Sequence, residues 1–236
     1  MLGPAEAFYT KAEPPYAACH NANMHIREIA TLGPVIAAIP ALEPAQAVSV
    51  ARALKSGGLH VLELNLHGTG AIASIDAIRK ALPEVIIGVT ALTKAADFAA
   101  AGRLGAHFGV TSGLTSELAA ATRGARFPVM PGVMTPSDVV AAQHAGFKVM
   151  ALFPAELAGG VRMLNVLDGD FPDLEFYAAG GISRETAPQY LALPKVLCVR
   201  GAWVAPQSLI DAADWSGIEA LAREAASLAT SQRRGG

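Results

Sequence analysis

GGLHVLELNLHG, residues 57–68, decides how the rest of the chain is read. Two glycines suit the left-handed turn that closes a helix. The apolar run after them alternates with a period of two, so that Glu63, Asn65 and His67 share one face and Leu62, Leu64 and Leu66 the other. Upstream, PAQAVSVARALK (44–55) has apolar residues at helical spacing, with Pro44 at a first helical position where its missing N–H costs nothing. Downstream, AIASIDAIRKA (71–81) repeats the helical spacing. Helix, strand and helix in that order are the mark of βα units.

The same alternation runs outward in both directions. Strands are expected at 34–40, 60–66, 85–90, 107–111, 127–131, 148–153, 174–178 and 196–199. Helices are expected at 44–55, 71–81, 94–102, 116–122, 137–144, 161–167, 184–191 and 215–229. Gly105 and Gly146, like the Gly57-Gly58 pair, stand just before strands. Repeats of this kind in one chain predict a single (β/α)8 TIM barrel of the α/β class, with an open flavodoxin-like sheet as the alternative. The barrel is expected over 33–231. It follows an N-terminal arm, 1–32, that carries Pro4, Pro14 and Pro15 and is either disordered or docked over the barrel mouth or a subunit boundary; a short tail follows at 232–236.

Composition narrows the class. Hydrophobic residues make up 52% of the 236 and charged residues 16%, the balance expected of parallel strands covered on both faces. The formal net charge of -2 comes without a basic block, which argues against nucleic acid as a partner and for a small molecule. Cys19 and Cys198 form neither a disulfide framework nor a zinc-site spacing, and no apolar run is long enough to span a bilayer. A cytoplasmic protein with no membrane partner is expected.

In this fold, chemistry sits at the C-terminal ends of the strands. Glu63 is expected inside the barrel, where a buried carboxylate is costly unless it is paired or used. It reads as a general acid/base, with a structural hydrogen-bonding role as the bland alternative. His67 is about 13 Å further along a strand, too far to chelate one metal with it; no metal and no cofactor are expected. AAGGIS (178–183) is either a backbone anion site at Gly180 and Gly181 or a plain turn. Arg200, in CVRGAW, either pairs with a carboxylate or phosphate or is a solvated rim charge.

Four stretches, GPVIAAIPALEPAQAVSVARALKSGGLHVLELNLHG, PGVMTPSDVVAAQHAGFKVMALFPAE, AAGGIS and LCVRGAW, resemble the 2-keto-3-deoxy-6-phosphogluconate and 4-hydroxy-2-oxoglutarate aldolase family over roughly 30–230. The resemblance implies a (β/α)8 barrel, a homotrimer, a proton-shuttling glutamate at Glu63, and a lysine on the sixth strand that forms a Schiff base with pyruvate. In K-x-F-P-A-E that lysine falls on Ala151, which cannot form an imine. The family's carboxylate-binding arginine falls on His67, its threonine on Ala91, its S-P-G on Thr111-Ser112-Gly113, its T-G-G on Ala179-Gly180-Gly181 and its G-G-S on Arg200-Gly201-Ala202. Catalytic roles are therefore expected at Glu63 and His67. Substrate binding is expected at Asn65, Thr90, Ser112, Phe153, Pro154, Gly180, Gly181 and Arg200.

Several functions stay open. One is a diverged aldolase-family, lyase-like enzyme that acts on a small, anionic 2-oxo acid or related carbonyl compound, without the family's phosphate, by Glu63 proton transfer and without an imine. A second is a catalytically silent barrel with a structural or regulatory role. A third is an aldolase whose lysine was removed by engineering or whose amine moved to Lys94.

Overall fold

The computed structural model describes residues 24–230. The chain alternates strands β1 (Val35–Ile39), β2 (Val61–Asn65), β3 (Ile86–Leu92), β4 (Phe108–Thr111), β5 (Val129–Met130 and Gly132–Val133), β6 (Val149–Leu152), β7 (Glu175–Ala178) and β8 (Val196–Gly201) with helices on the outside. The sheet counts nine strand segments, all paired in parallel. The two segments of β5 are halves of one stave broken at Pro131. The first half pairs with β4 and the second with β6, while the Pro131 carbonyl still accepts from the Ala151 N–H at 2.8 Å. Nine segments minus one break make eight staves in a closed ring, as the alternation predicts.

The period of two sorts the side chains into two cores. Leu62, Leu64, Ile87, Val89, Met150 and Leu152 pack outward against helices. Ile36, Val61, Ile86, Phe108, Met130, Val149, Ala151, Tyr177 and Cys198 fill the barrel. Gly88 shows how tight the interior is, since a Cβ there would lie 2.1 Å from the Phe108 ring. Helix α2 (Pro44–Ser56) buries Ala47, Val50, Ala51 and Leu54 along one stripe and ends where Gly58 takes a φ of +99°. The helix Pro136–His144 starts at a capping box in which Asp138 Oδ2 accepts from the Thr135 N–H at 2.8 Å.

One boundary needs correcting. The sequence reading puts everything before residue 33 in an arm, but Ile26–Thr31 form a helix, α1, that belongs to the barrel. Ile29 and Ala30 are buried with Ile36, Val61 and Phe108, and Arg27 makes a two-pronged ion pair with Glu175 at the start of β7, at 2.7 and 2.9 Å. The helix thus stops the lower end of the barrel. It is only six residues long, too short for its periodicity to stand out. The rest of the arm, 1–23, and the tail lie outside the described residues. A further short helix, Gln207–Asp211, also escaped the periodicity.

Candidate active site

Glu63 sits on β2 with its side chain inside the barrel, 0% exposed. Its Oε2 accepts from the Tyr177 hydroxyl at 2.8 Å, and its Oε1 accepts from Nε of Arg200. Tyr177 comes from β7 and Arg200 from β8, so closing the ring brings β2 face to face with strands far along the chain. Tyr177 stands beside Ala151 in register, and its bulk packs among the barrel residues next to that small side chain.

These groups open onto a cavity of about 100 Å³ lined by Glu63, Asn65, Thr90, Ser112, Phe153 and Arg200, together with Ala91, Val110, Thr111 and Tyr177. This is space for a few water molecules, so it suits a small acid rather than a sugar-sized ligand. Ala91 holds a φ of +63° in the cavity wall, a conformation that disfavours a side chain with a Cβ. Thr111 Oγ1 accepts from the Gly132 N–H at 3.1 Å and ties β4 to the broken stave.

Electrostatics set the protonation states. Burial, reinforced by the charge of Glu63, pushes the Tyr177 phenol well above its ordinary range, so it remains a donor. Burial and Glu63 likewise push the Cys198 thiol up, leaving it an inert neutral neighbour. Burial opposes the Arg200 charge, but Glu63 and Tyr177 outweigh it and raise the guanidinium above its usual value. The result is one buried carboxylate, one cation and two neutral acids.

The structure brings Glu63, Asn65, Thr90, Ser112, Phe153 and Arg200 to one cavity but leaves other expected site residues outside it. His67 is turned away. Past Asn65 the chain leaves the strand in a turn, with the Gly68 N–H on the Asn65 carbonyl at 3.1 Å and the His67 N–H on Asn65 Oδ1 at 2.9 Å, so the period of two no longer applies. The His67 imidazole instead faces Asp97 at 3.4 Å and lines an outer groove with Asp76, Arg79 and Arg103. That groove is larger, about 520 Å³, but no buried carboxylate opens into it.

Pro154, Gly180 and Gly181 also lie outside the cavity lining. The two glycines take φ of +97° and +84°, and a Cβ on Gly180 would lie 2.9 Å from Cα of Pro154. The Glu156 N–H donates to the Gly180 carbonyl at 3.1 Å. Here the close approach of two loops explains the glycines. The Ser183 N–H is taken by Thr186 Oγ1 at 3.0 Å, and the helix that follows starts only at Ala187 and spans five residues. Lys94, the alternative position for an amine, is exposed just before helix Ala95–Arg103 and does not line the cavity, and neither does Lys148, exposed before β6.

Tyr177 is the functional residue the sequence reading missed. A signal existed, since the period of two along β7 puts Tyr177 on the inner face with Ala179, and a large inward side chain must fill space that a small one on the next strand leaves.

Comparison with known proteins places this geometry in context. The family model described as KDPG and KHG aldolase matches residues 26–221. The 2-dehydro-3-deoxy-phosphogluconate aldolase of Pseudomonas aeruginosa is 35% identical over 91% of this chain and 99% of its own. The KHG/KDPG aldolase of Escherichia coli K12 is 38% identical over 84% and 92%. Among solved structures, the KDPG aldolase of Legionella pneumophila, with pyruvate captured as a covalent carbinolamine, superposes with a TM-score of 0.83 at 33% identity, covering 86% of this chain and 99% of that one.

Proposed function

This chain belongs to the KDPG and KHG aldolase family, and from that premise we propose that it is a lyase acting on a small anionic 2-oxo acid, with Glu63 as the proton carrier and no lysine imine. The observation that carries this reading is a carboxylate, 0% exposed, at the head of a small cavity, while Ala151, where the resemblance puts the amine, is buried beside Tyr177. No lysine lines that cavity among the described residues. The Legionella relative captures pyruvate covalently; a methyl side chain at residue 151 cannot do so.

Glu63 would take a proton from the carbon beside the 2-oxo group, whose C–H electrons pass into an enolate. That enolate carbon then bonds to the carbonyl carbon of an aldehyde, whose oxygen recovers the proton; cleavage is the reverse. The crowded Gly180-Gly181 turn supports a substrate without the family's phosphate. Saturable binding of a 6-phosphorylated keto acid in calorimetry would count against that part. A homotrimer is proposed on family resemblance, with sedimentation to check the size, and the absence of nucleic-acid and membrane partners on the net charge of -2 without a basic block and the lack of a bilayer-length apolar run.

The test is deuterium wash-in at the pyruvate methyl group, followed by proton NMR, beside borohydride trapping read by intact mass. Exchange without a trapped adduct, lost in Glu63→Gln, supports the reading. A trapped adduct restores the imine. The absence of exchange and adduct together returns the barrel to a structural role, which the full pairing of Glu63 by Tyr177 and Arg200 would then explain.

A further inference from the structure

An imine serves an aldolase as an electron sink, and a chain without the amine needs another group to take the charge that develops on the carbonyl oxygen. Only one cation lines the Glu63 cavity among the described residues, and it is Arg200. Its side chain is 29% exposed against 1% for Glu63, and Nε is the nitrogen that Glu63 occupies. The two terminal nitrogens donate to no protein group among the described residues. A planar guanidinium donates in fixed directions from both edges, so the Nε proton is committed to Glu63 while the terminal nitrogens remain available to a ligand.

We infer that Arg200 is the electron sink of the reaction and Tyr177 the residue that positions its base, so that catalysis exchanges one ion pair for another across a single guanidinium. The inference rests on the proposed Glu63 chemistry. In the resting site the carboxylate of Glu63 balances Arg200. When Glu63 accepts the proton from the substrate carbon, the C–H pair becomes the new carbon–carbon π bond and the carbonyl π electrons settle on oxygen. The negative charge has moved from one side of Arg200 to the other, and the net charge around Arg200, with the substrate carboxylate counted in both states, is unchanged by the step. The step creates no additional buried charge beside Arg200, and such a new charge would in a low-dielectric interior be its main cost. The single Tyr177 proton is engaged by Glu63, so the phenol cannot serve the oxyanion as well in the resting state. Cys198, the remaining titratable neighbour, stays neutral throughout.

This exchange has a signature beyond turnover. Oxalate, a planar mimic of the enolate of pyruvate, should displace Glu63 from Arg200 and force it to take up a proton. Calorimetry in buffers of different ionisation enthalpy should therefore show about one proton bound per oxalate in the natural protein and none in Glu63→Gln. In the exchange assay, Arg200→Ala should lower kcat by about a hundred- to a thousand-fold, the usual effect of removing an oxyanion donor, with a smaller change in KM and partial recovery on adding guanidinium chloride. If Arg200→Ala fails to fold, Arg200→Lys, which keeps the charge without the fork, should still lose at least about tenfold in kcat.

Failure to bind oxalate, binding without proton uptake, or a variant that raises KM while leaving kcat intact would each overturn the assignment; the last would make Arg200 only a holder of the substrate carboxylate. Proton uptake on oxalate without any deuterium exchange would keep the ion-pair exchange and sink the reaction proposed above. Exchange that persists in Arg200→Ala would do the opposite.

Discussion

The two halves of the barrel interior are built on different physics. Below, α1 and the first residues of the strands make a plug of Ile29, Ile36, Val61, Ile86 and Phe108, filled by apolar volume, with the Arg27–Glu175 ion pair only at its outer edge. Above, Glu63, Tyr177 and Arg200 hold one another by charge and hydrogen bonds beside a small opening. The apolar half tolerates no added or missing volume. In the polar half, each group is placed correctly only while its partners remain.

Four substitutions test this contrast, in decreasing order of expected effect on stability. Phe108→Ala should cost about 3–5 kcal/mol in urea unfolding, because the Phe108 ring fills the space against Gly88 and the site cannot easily collapse. Arg200→Met should cost about 3 kcal/mol by stranding the buried Glu63, whereas the pair Arg200→Met with Glu63→Leu should recover most of that loss. If the single and double variants are equally unstable, charge does not govern the upper half. Tyr177→Phe keeps the shape but removes a hydrogen bond to a carboxylate, so about 1.5–3 kcal/mol is expected, with a lower exchange rate. Arg27→Ala, at an exposed ion pair, should move the midpoint least, by under about 1 kcal/mol.

The position of Ala151 links the halves. Restoring an amine by Ala151→Lys should not give a trappable imine, because Tyr177 lies against that position. Shrinking Tyr177 to Ala in the same chain should make room for the amine. Borohydride trapping in the double variant but not the single one would locate the obstacle at Tyr177.

Much of the fold was legible in the sequence. Periods of two and of 3.6 residues are local properties, so the staves, the main helices, the inward direction of Glu63 and the absence of an amine at residue 151 could all be read without coordinates. What escaped was short or distant. Helix α1 has too few residues to show a period, and at the end of β2 a turn held by Asn65 rotates His67 off the face its spacing assigns. Arg200 could be placed at the rim but not on a partner, and Tyr177 was not singled out at all. These two residues lie 137 and 114 positions from Glu63 along the chain. Their meeting depends on the register of every strand between them and on the break at Pro131 that lets the ring close. The sequence by itself determined which side chains turn inward; only the closed barrel decided which of them face one another.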